Sequence, residues 1–170
     1  MFLYSAAATA IAGTVGRNEF AIFENGITSF NFLRRQELVN ARATRTTHPK
    51  TIQLLQTFFS TVVGDAFRVA TPFIWKTKAD VIGELAGASG TPLIVSAVSC
   101  SRTFQKIGAA THCGECSQCI DRRLASYAVN LDAIDDAVPY AANFIASRAS
   151  TEEAKTTLVD YIRQAREFAT

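Results

Sequence analysis

The chain has 170 residues, the size of one ordinary globular domain. With 48% hydrophobic and 19% charged residues it is neither disordered nor low in complexity. Seventeen basic against fifteen acidic side chains give a net charge of +2. That excludes a nucleic-acid binder held by overall charge and leaves room only for a local basic patch.

The run from Met1 to Val15 is uncharged, shorter than the about 20 apolar residues a membrane span needs, and has no basic leader. It reads as an Ala-rich buried helix over Phe2 to Ala12, ended by Gly13 and Gly16. Phe20 to Phe23 is a short apolar strand running into Glu24-Asn25-Gly26, turn chemistry suited to a functional loop at a strand end. Residues 31 to 48 are polar, with Arg34, Arg35, Arg42 and Arg45. These arginines and Lys50 read either as a solvated loop or as a grip on phosphates.

Pro49 stands where a first helical residue belongs. His48-Pro49 therefore opens a helix whose N-terminus is in principle an anion site. Ile52, Leu55, Phe59 and Val62 follow at helical spacing, joined by Leu54 and Phe58, and Gly64 closes the helix. Phe67 to Ala70 is a second strand, stopped by Thr71-Pro72. The two strands are expected to be parallel neighbours or near-neighbours, because each follows a helix. Phe73 and Trp75 read as core rather than as a base-stacking platform. Thr77 reads as an N-cap, with Asp80 three residues on, for a helix from Lys78 to Ala86 that ends at Gly87.

Pro92 to Val98 is apolar and short, either a strand or a buried connector. From about Gln118 the chain is helical by pattern. Its last helix starts at Thr151 and carries Leu158, Tyr161, Ile162, Ala165 and Phe168 on one face. The alternation of strands and helices predicts an α/β fold built on an open parallel sheet. Its strands are few for such a sheet, which suggests the later part of a larger unit. Three domain segments are expected: a partial α/β domain at 1–98, a metal-binding segment at 99–127 and a helical tail at 128–170.

All four cysteines lie between Cys100 and Cys119. A disulfide framework would scatter them to staple distant loops. Cys100, Cys113, Cys116 and Cys119 follow the spacing C-x12-C-x2-C-x2-C. Two intervening residues let neighbouring sulfurs point at one ion about 2.3 Å away, and Cys100 completes a four-thiolate set. The reading is one structural zinc per chain, closed to water. An iron–sulfur cluster and a redox Cys-x-x-Cys are the weaker readings. His112 adjoins Cys113 and is expected in solvent or beside the ligands rather than among them. A thiol cluster kept as metal ligands implies a reducing, cytoplasmic setting, with no membrane partner.

Three blocks in order resemble the later part of the 7-cyano-7-deazaguanine synthase family of PP-loop ATP pyrophosphatases. They are the first helix and strand up to Glu24-Asn25-Gly26, then Thr71-Pro-Phe-Ile-Trp-Lys-Thr-Lys78, then Ser99-Cys100 with Cys113-Gly-Glu-Cys116-Ser-Gln-Cys119 and Arg122 or Arg123. The zinc block is the specific one, and the resemblance covers residues 1 to 127. The loop after Cys100 is longer than the family's usual one. The stretch Ala41 to Pro49 looks more like divergent relatives, including those in anti-phage defence clusters. The family's Ser-Gly-Gly-x-Asp-Ser loop, which cradles ATP phosphates on backbone N–H groups, does not occur in this sequence.

The resemblance implies an adenine nucleotide alpha hydrolase-like fold and an ATP-dependent carbon–nitrogen ligase of queuosine biosynthesis. In that family a carboxylated deazapurine is activated by ATP, converted to an amide with ammonia and dehydrated to the nitrile. ATP and magnesium would serve the complete enzyme. Glu24, Asn25 and Gly26 would face the deazapurine substrate, and Glu24 and Lys78 would be the catalytic candidates, with Lys78 near the pyrophosphate. A turn-forming acid and a solvated lysine are the plainer readings of those two. A truncated chain, inactive alone and prone to form a homo-oligomer, is expected. The alternative from another class is a non-catalytic zinc module that binds a partner protein or nucleic acid.

Overall fold

The computed structural model describes residues 1–30, 47–102, 109–144 and 151–169. The expected basic cluster at Arg34, Arg35, Arg42 and Arg45 lies outside the described residues. The chain divides into two compact units, Met1–Thr77 and Lys78–Thr170.

The first unit runs α1 (Phe2–Thr14), β1 (Glu19–Ala21), α2 (Gly26–Phe30), α3 (Pro49–Val63) and β2 (Arg68–Ala70). The two strands pair in parallel, with Glu19 opposite Arg68, Phe20 opposite Val69 and Ala21 opposite Ala70. The expected pairing is therefore found, over three residues each. Val69 points its N–H away from β1, and the Gln56 side chain of α3 accepts it at 2.9 Å. A helix side chain thus satisfies a strand edge that another strand would otherwise fill.

α3 starts as its sequence dictates. Pro49 has no N–H to lose in the first turn, and His48 caps the helix with Nδ1 accepting from Lys50 N–H at 3.2 Å. Gly64 ends it in the left-handed conformation. Its inner stripe, Ile52, Leu55 and Phe59, packs on Phe67, Val69 and Ala12, with Phe20 and Ile22 at the margin. Phe20, Phe59 and Phe67 meet pairwise at 5.8–6.3 Å between ring centroids.

Three expectations fail here: among the described residues the sheet has two strands of three residues each, which cover little area. α1 is not a buried helix. It buries only Ser5, Thr9 and Ala12 and exposes Phe2, Leu3, Tyr4, Ile11 and Val15. On α3, Leu54, Phe58 and Val62 are likewise exposed. Trp75 is not core either; it is 85% exposed.

The second unit is helical: α4 (Lys78–Gly87), α5 (Thr91–Ser96), α6 (Ser117–Ala128), α7 (Asp132–Asp135) and α8 (Glu152–Phe168). The apolar run after Gly90 is a helix rather than a strand, with Pro92 in the first turn. A proline is harmless there but would forfeit a ladder bond in a central strand. On α8 the Thr151 hydroxyl accepts from Ala154 N–H at 3.1 Å, the expected cap. Ala154 and Asp160 are buried, whereas Val159 and Ile162 are exposed. The inner face of α8 is thus rotated from the one its apolar residues mark. Among the described residues no helix is long and apolar enough to cross a membrane.

Candidate metal centre

Cys100 lies on the segment after α5, Cys113 and Cys116 on the turn before α6, and Cys119 in the first turn of α6. All four are buried, and their Sγ atoms lie within 4.8 Å of one another. Cys100 and Cys116 are 4.0 Å apart, Cys113 and Cys119 3.9 Å, and Cys116 and Cys119 3.4 Å. A tetrahedron of sulfurs about 2.3 Å from one ion has edges of about 3.8 Å, so the set fits a metal of thiolate preference.

Backbone donors already face the sulfurs. Arg102 N–H and Cys113 N–H reach Cys100 Sγ at 3.3 and 3.4 Å, and Cys116 N–H reaches Cys113 Sγ at 3.3 Å. Such bonds favour the thiolate over the thiol. The proton economy of the cluster is uneven. The Cys119 contact holds Cys116 well below an ordinary thiol, and the same contact together with burial pushes Cys119 up. Burial also pushes Cys113 up. A cation in the centre would take the place of the protons the buried thiols otherwise keep.

Gly114 lets this turn close. Its φ is +83°, and a Cβ there would lie 1.9 Å from the Ala142 carbonyl oxygen. The segment 139–142 runs against the cysteine turn. Thr111 N–H and His112 N–H donate to Pro139 O at 3.0 and 3.3 Å, and Ala141 N–H donates to His112 O at 2.8 Å. His112 is fully buried. Its Nε2 accepts from Ser99 N–H at 3.2 Å, and its Nδ1 meets the Thr111 hydroxyl at 2.8 Å. Burial and the Arg122 charge lower its pKa. Of the two expectations for His112, solvent is excluded and a place beside the cysteines is found.

The two arginines after the last cysteine divide their work. Arg122 donates to Asp135 at 2.8 Å and to the carbonyls of Ile94 and Ala97 at 2.5 Å each. It thereby caps orphan carbonyls at the end of α5. Arg123 donates to Asp136 at 2.7 Å, and its guanidinium lies over the Tyr140 ring at 4.7 Å. The Tyr140 hydroxyl donates to the Asp135 carboxylate at 3.1 Å, and burial with that carboxylate raises the phenol's pKa. Arg122, Arg123 and Asp135 are all buried. The sequence reading missed Asp135, Asp136 and Tyr140. A signal was available: an arginine doublet and an aspartate doublet, with each pair 13 residues apart.

The remaining candidates fall in different units. Lys78 belongs to the second unit, where its Nζ donates at 3.3 Å to Gln118, a residue between Cys116 and Cys119. Glu24, Asn25 and Gly26 belong to the first. Glu24 is exposed. Asn25 is buried and caps α2, its Oδ1 accepting from Thr28 N–H at 3.0 Å. Gly26 is buried and donates to Lys76 O at 2.9 Å.

Residues 46–130 match the family described as Queuosine biosynthesis protein QueC. The match takes in half of the chain, including all four cysteines, and the chain belongs to this family. It is similar to a protein named 7-cyano-7-deazaguanine synthase from Paracoccus denitrificans (strain Pd 1222), 40% identical over 58 residues. That stretch is 34% of this chain and 22% of the relative, so the match spans about a fifth of the relative's length. No solved structure matches.

Proposed function

We propose that the chain is the metal-stabilised portion of a 7-cyano-7-deazaguanine synthase-like enzyme, one that uses ATP and ammonia to turn a carboxylated deazapurine into its nitrile. The observation that carries the reading is the four-cysteine centre inside the family-matched segment. In this reading Cys100, Cys113, Cys116 and Cys119 hold one zinc. With four thiolates the ion has no open position for water, so it supplies folding energy and no Lewis-acid chemistry. Its part is to hold α6 and the turn that precedes it.

Lys78 joins that turn through Gln118 and offers a compact positive charge at the start of α4 for a pyrophosphate. Glu24 is the exposed carboxylate at the end of β1, where open parallel sheets place ligands. Asn25 and Gly26 are substrate-facing in this reading through the backbone they shape. ATP and magnesium would need a Ser-Gly-Gly-x-Asp-Ser loop, which this sequence does not contain. The second reading is a non-catalytic zinc module for a partner protein or nucleic acid, carried by the same four-cysteine cluster.

Elemental analysis of the purified chain should give about one zinc per chain. Iron with visible absorbance, or no metal, removes the zinc assignment. Incubation with ATP, ammonium and 7-carboxy-7-deazaguanine should yield nitrile, read by mass spectrometry, only when a segment bearing the phosphate loop is added. Pyrophosphate release by this chain alone, abolished in Lys78→Ala, would show that the phosphates are held without that loop. No nitrile under either condition leaves the zinc-module reading.

A further inference from the structure

The turn that carries Cys113 and Cys116 is tied down from both sides, and the second tie uses residues that are not ligands. On one side the tie is covalent: Cys116 leads directly into α6, whose first turn holds Cys119. On the other side the chain meets the segment 139–142, which lies beyond the family-matched residues 46–130. His112 pairs with Tyr140 in an isolated parallel bridge. Its bonds are those from Thr111 and His112 N–H to Pro139 O and from Ala141 N–H to His112 O. So few backbone bonds between two loops are marginal by themselves, as an isolated strand pair is in water.

The Tyr140 side chain anchors this bridge. Its ring packs against the four-cysteine cluster and lies 5.1 Å from the His112 ring, centroid to centroid. The Arg123 guanidinium covers it at 4.7 Å. Its hydroxyl stands 3.1 Å from each oxygen of Asp135 and donates to that carboxylate. Asp135 is fully buried and accepts from Arg122 Nε at 2.8 Å. Arg122 follows Cys119 by three residues on α6, so the two leave the helix on the same side. The contacts therefore close a circuit. It runs from Cys113 through its neighbour His112 to Tyr140, on to Asp135 and Arg122, and along α6 to Cys119. Both ends of the circuit are sulfur ligands, 3.9 Å apart. Opening it at the hydroxyl would free the Cys113 turn to shift against α6, and a four-thiolate site holds its ion only at a narrow sulfur spacing.

We propose that Tyr140 is a positioning residue of the metal centre: through Asp135 and Arg122 its hydroxyl fixes the Cys113 turn against the helix that carries Cys119. This role rests on the metal reading above and adds to it a determinant from outside the ligand set. The ring supports the cysteines by packing, and the hydroxyl sets their spacing.

The full chain loaded with zinc(II) or cobalt(II) tests this. Tyr140→Phe keeps the ring on the cysteines and removes only the hydroxyl. In competition with a chromophoric chelator it should bind zinc about 10-fold more weakly, as happens when an outer partner of a metal ligand is removed. In the cobalt form its d–d absorption should weaken as the sulfur tetrahedron opens. Asp135→Ala should lose at least as much affinity, and adding Tyr140→Phe to it should cost nothing further, because the hydroxyl has then lost its acceptor. Thr151→Ala loosens α8 in the same unit away from this circuit, and should leave zinc affinity unchanged. Equal affinity and an equal cobalt spectrum in Tyr140→Phe and the parent overturn the positioning role and leave the metal reading standing. An equal fall in Thr151→Ala overturns it too, since general loosening then explains the loss. Additive losses in the double variant overturn the route through Asp135. Where Asp135→Ala does not fold, Tyr140→Phe decides by itself. A parent that takes up neither ion removes the metal reading and this role with it.

Discussion

The two units of this chain are held by different forces. In Met1–Thr77 the core is aromatic and aliphatic, centred on Phe59 among Ile52, Leu55, Phe67 and Val69. In Lys78–Thr170 the most buried groups are polar or sulfur-bearing: Cys119, His112, Asp135 and Ser126, with Ile120 among them. The first core needs only water to drive it. The second contains thiols, a buried ion cluster and a histidine, whose burial is favourable only when each has its partner. The first unit is thus stable in proportion to area, the second on condition of completeness.

Metal removal should break the comparison most sharply. A strong chelator, or Cys116→Ser, should abolish protection of α6 in hydrogen exchange while α3 keeps its own, because binding energy of about 10–16 kcal/mol is available from such a site. Equal loss in both units would show that they fold as one.

Next in size are two single substitutions that probe the two kinds of core. Phe59→Ala should cost about 3–5 kcal/mol in the first unit through a cavity. Asp135→Ala should cost about 3–5 kcal/mol in the second, because Arg122 would be left charged and buried without its carboxylate. Denaturant titrations followed unit by unit check both. A small cost for Asp135→Ala would mean that water replaces the carboxylate.

Gly114→Ala sharpens the picture within the metal centre. It should cost about 1–3 kcal/mol from backbone strain and lower metal affinity, since residue 114 must retreat from Ala142 O. Competition against a chromophoric chelator measures that affinity, and an unchanged value would separate the 139–142 segment from the site. The smallest effect is expected at Thr151→Ala. Loss of the α8 cap should cost about 1 kcal/mol, visible as fraying of the first turn in hydrogen exchange.

Local chemistry was readable in the sequence where it depends on spacing along the chain. Pro49 and Gly64 bound α3 because a missing N–H and a missing Cβ act on their own backbone. The grouping of Cys113, Cys116 and Cys119 was readable for the same reason, since x2 intervals bring sulfurs together within one turn. The parallel pairing of β1 and β2 followed from the order of elements.

Side-chain environment was not readable, because it depends on area that other elements do or do not cover. The large apolar residues of α1 and α3 look like core by composition, yet most of them are exposed. Trp75 looks like core by type and stands exposed. The cap that Asn25 gives α2 was likewise not read from the sequence.

The sequence by itself determined the limits of α3 and the grouping of Cys113, Cys116 and Cys119, properties of residues within a turn or two of one another. Only the tertiary structure decided that Arg122 closes α5 while Arg123 lies on Tyr140, that Gly114 must lack a Cβ because Ala142 arrives from 28 residues on, and that Trp75 stays in the open. Those outcomes turn on which distant backbone atoms come within about 3 Å, and no local propensity encodes such an approach.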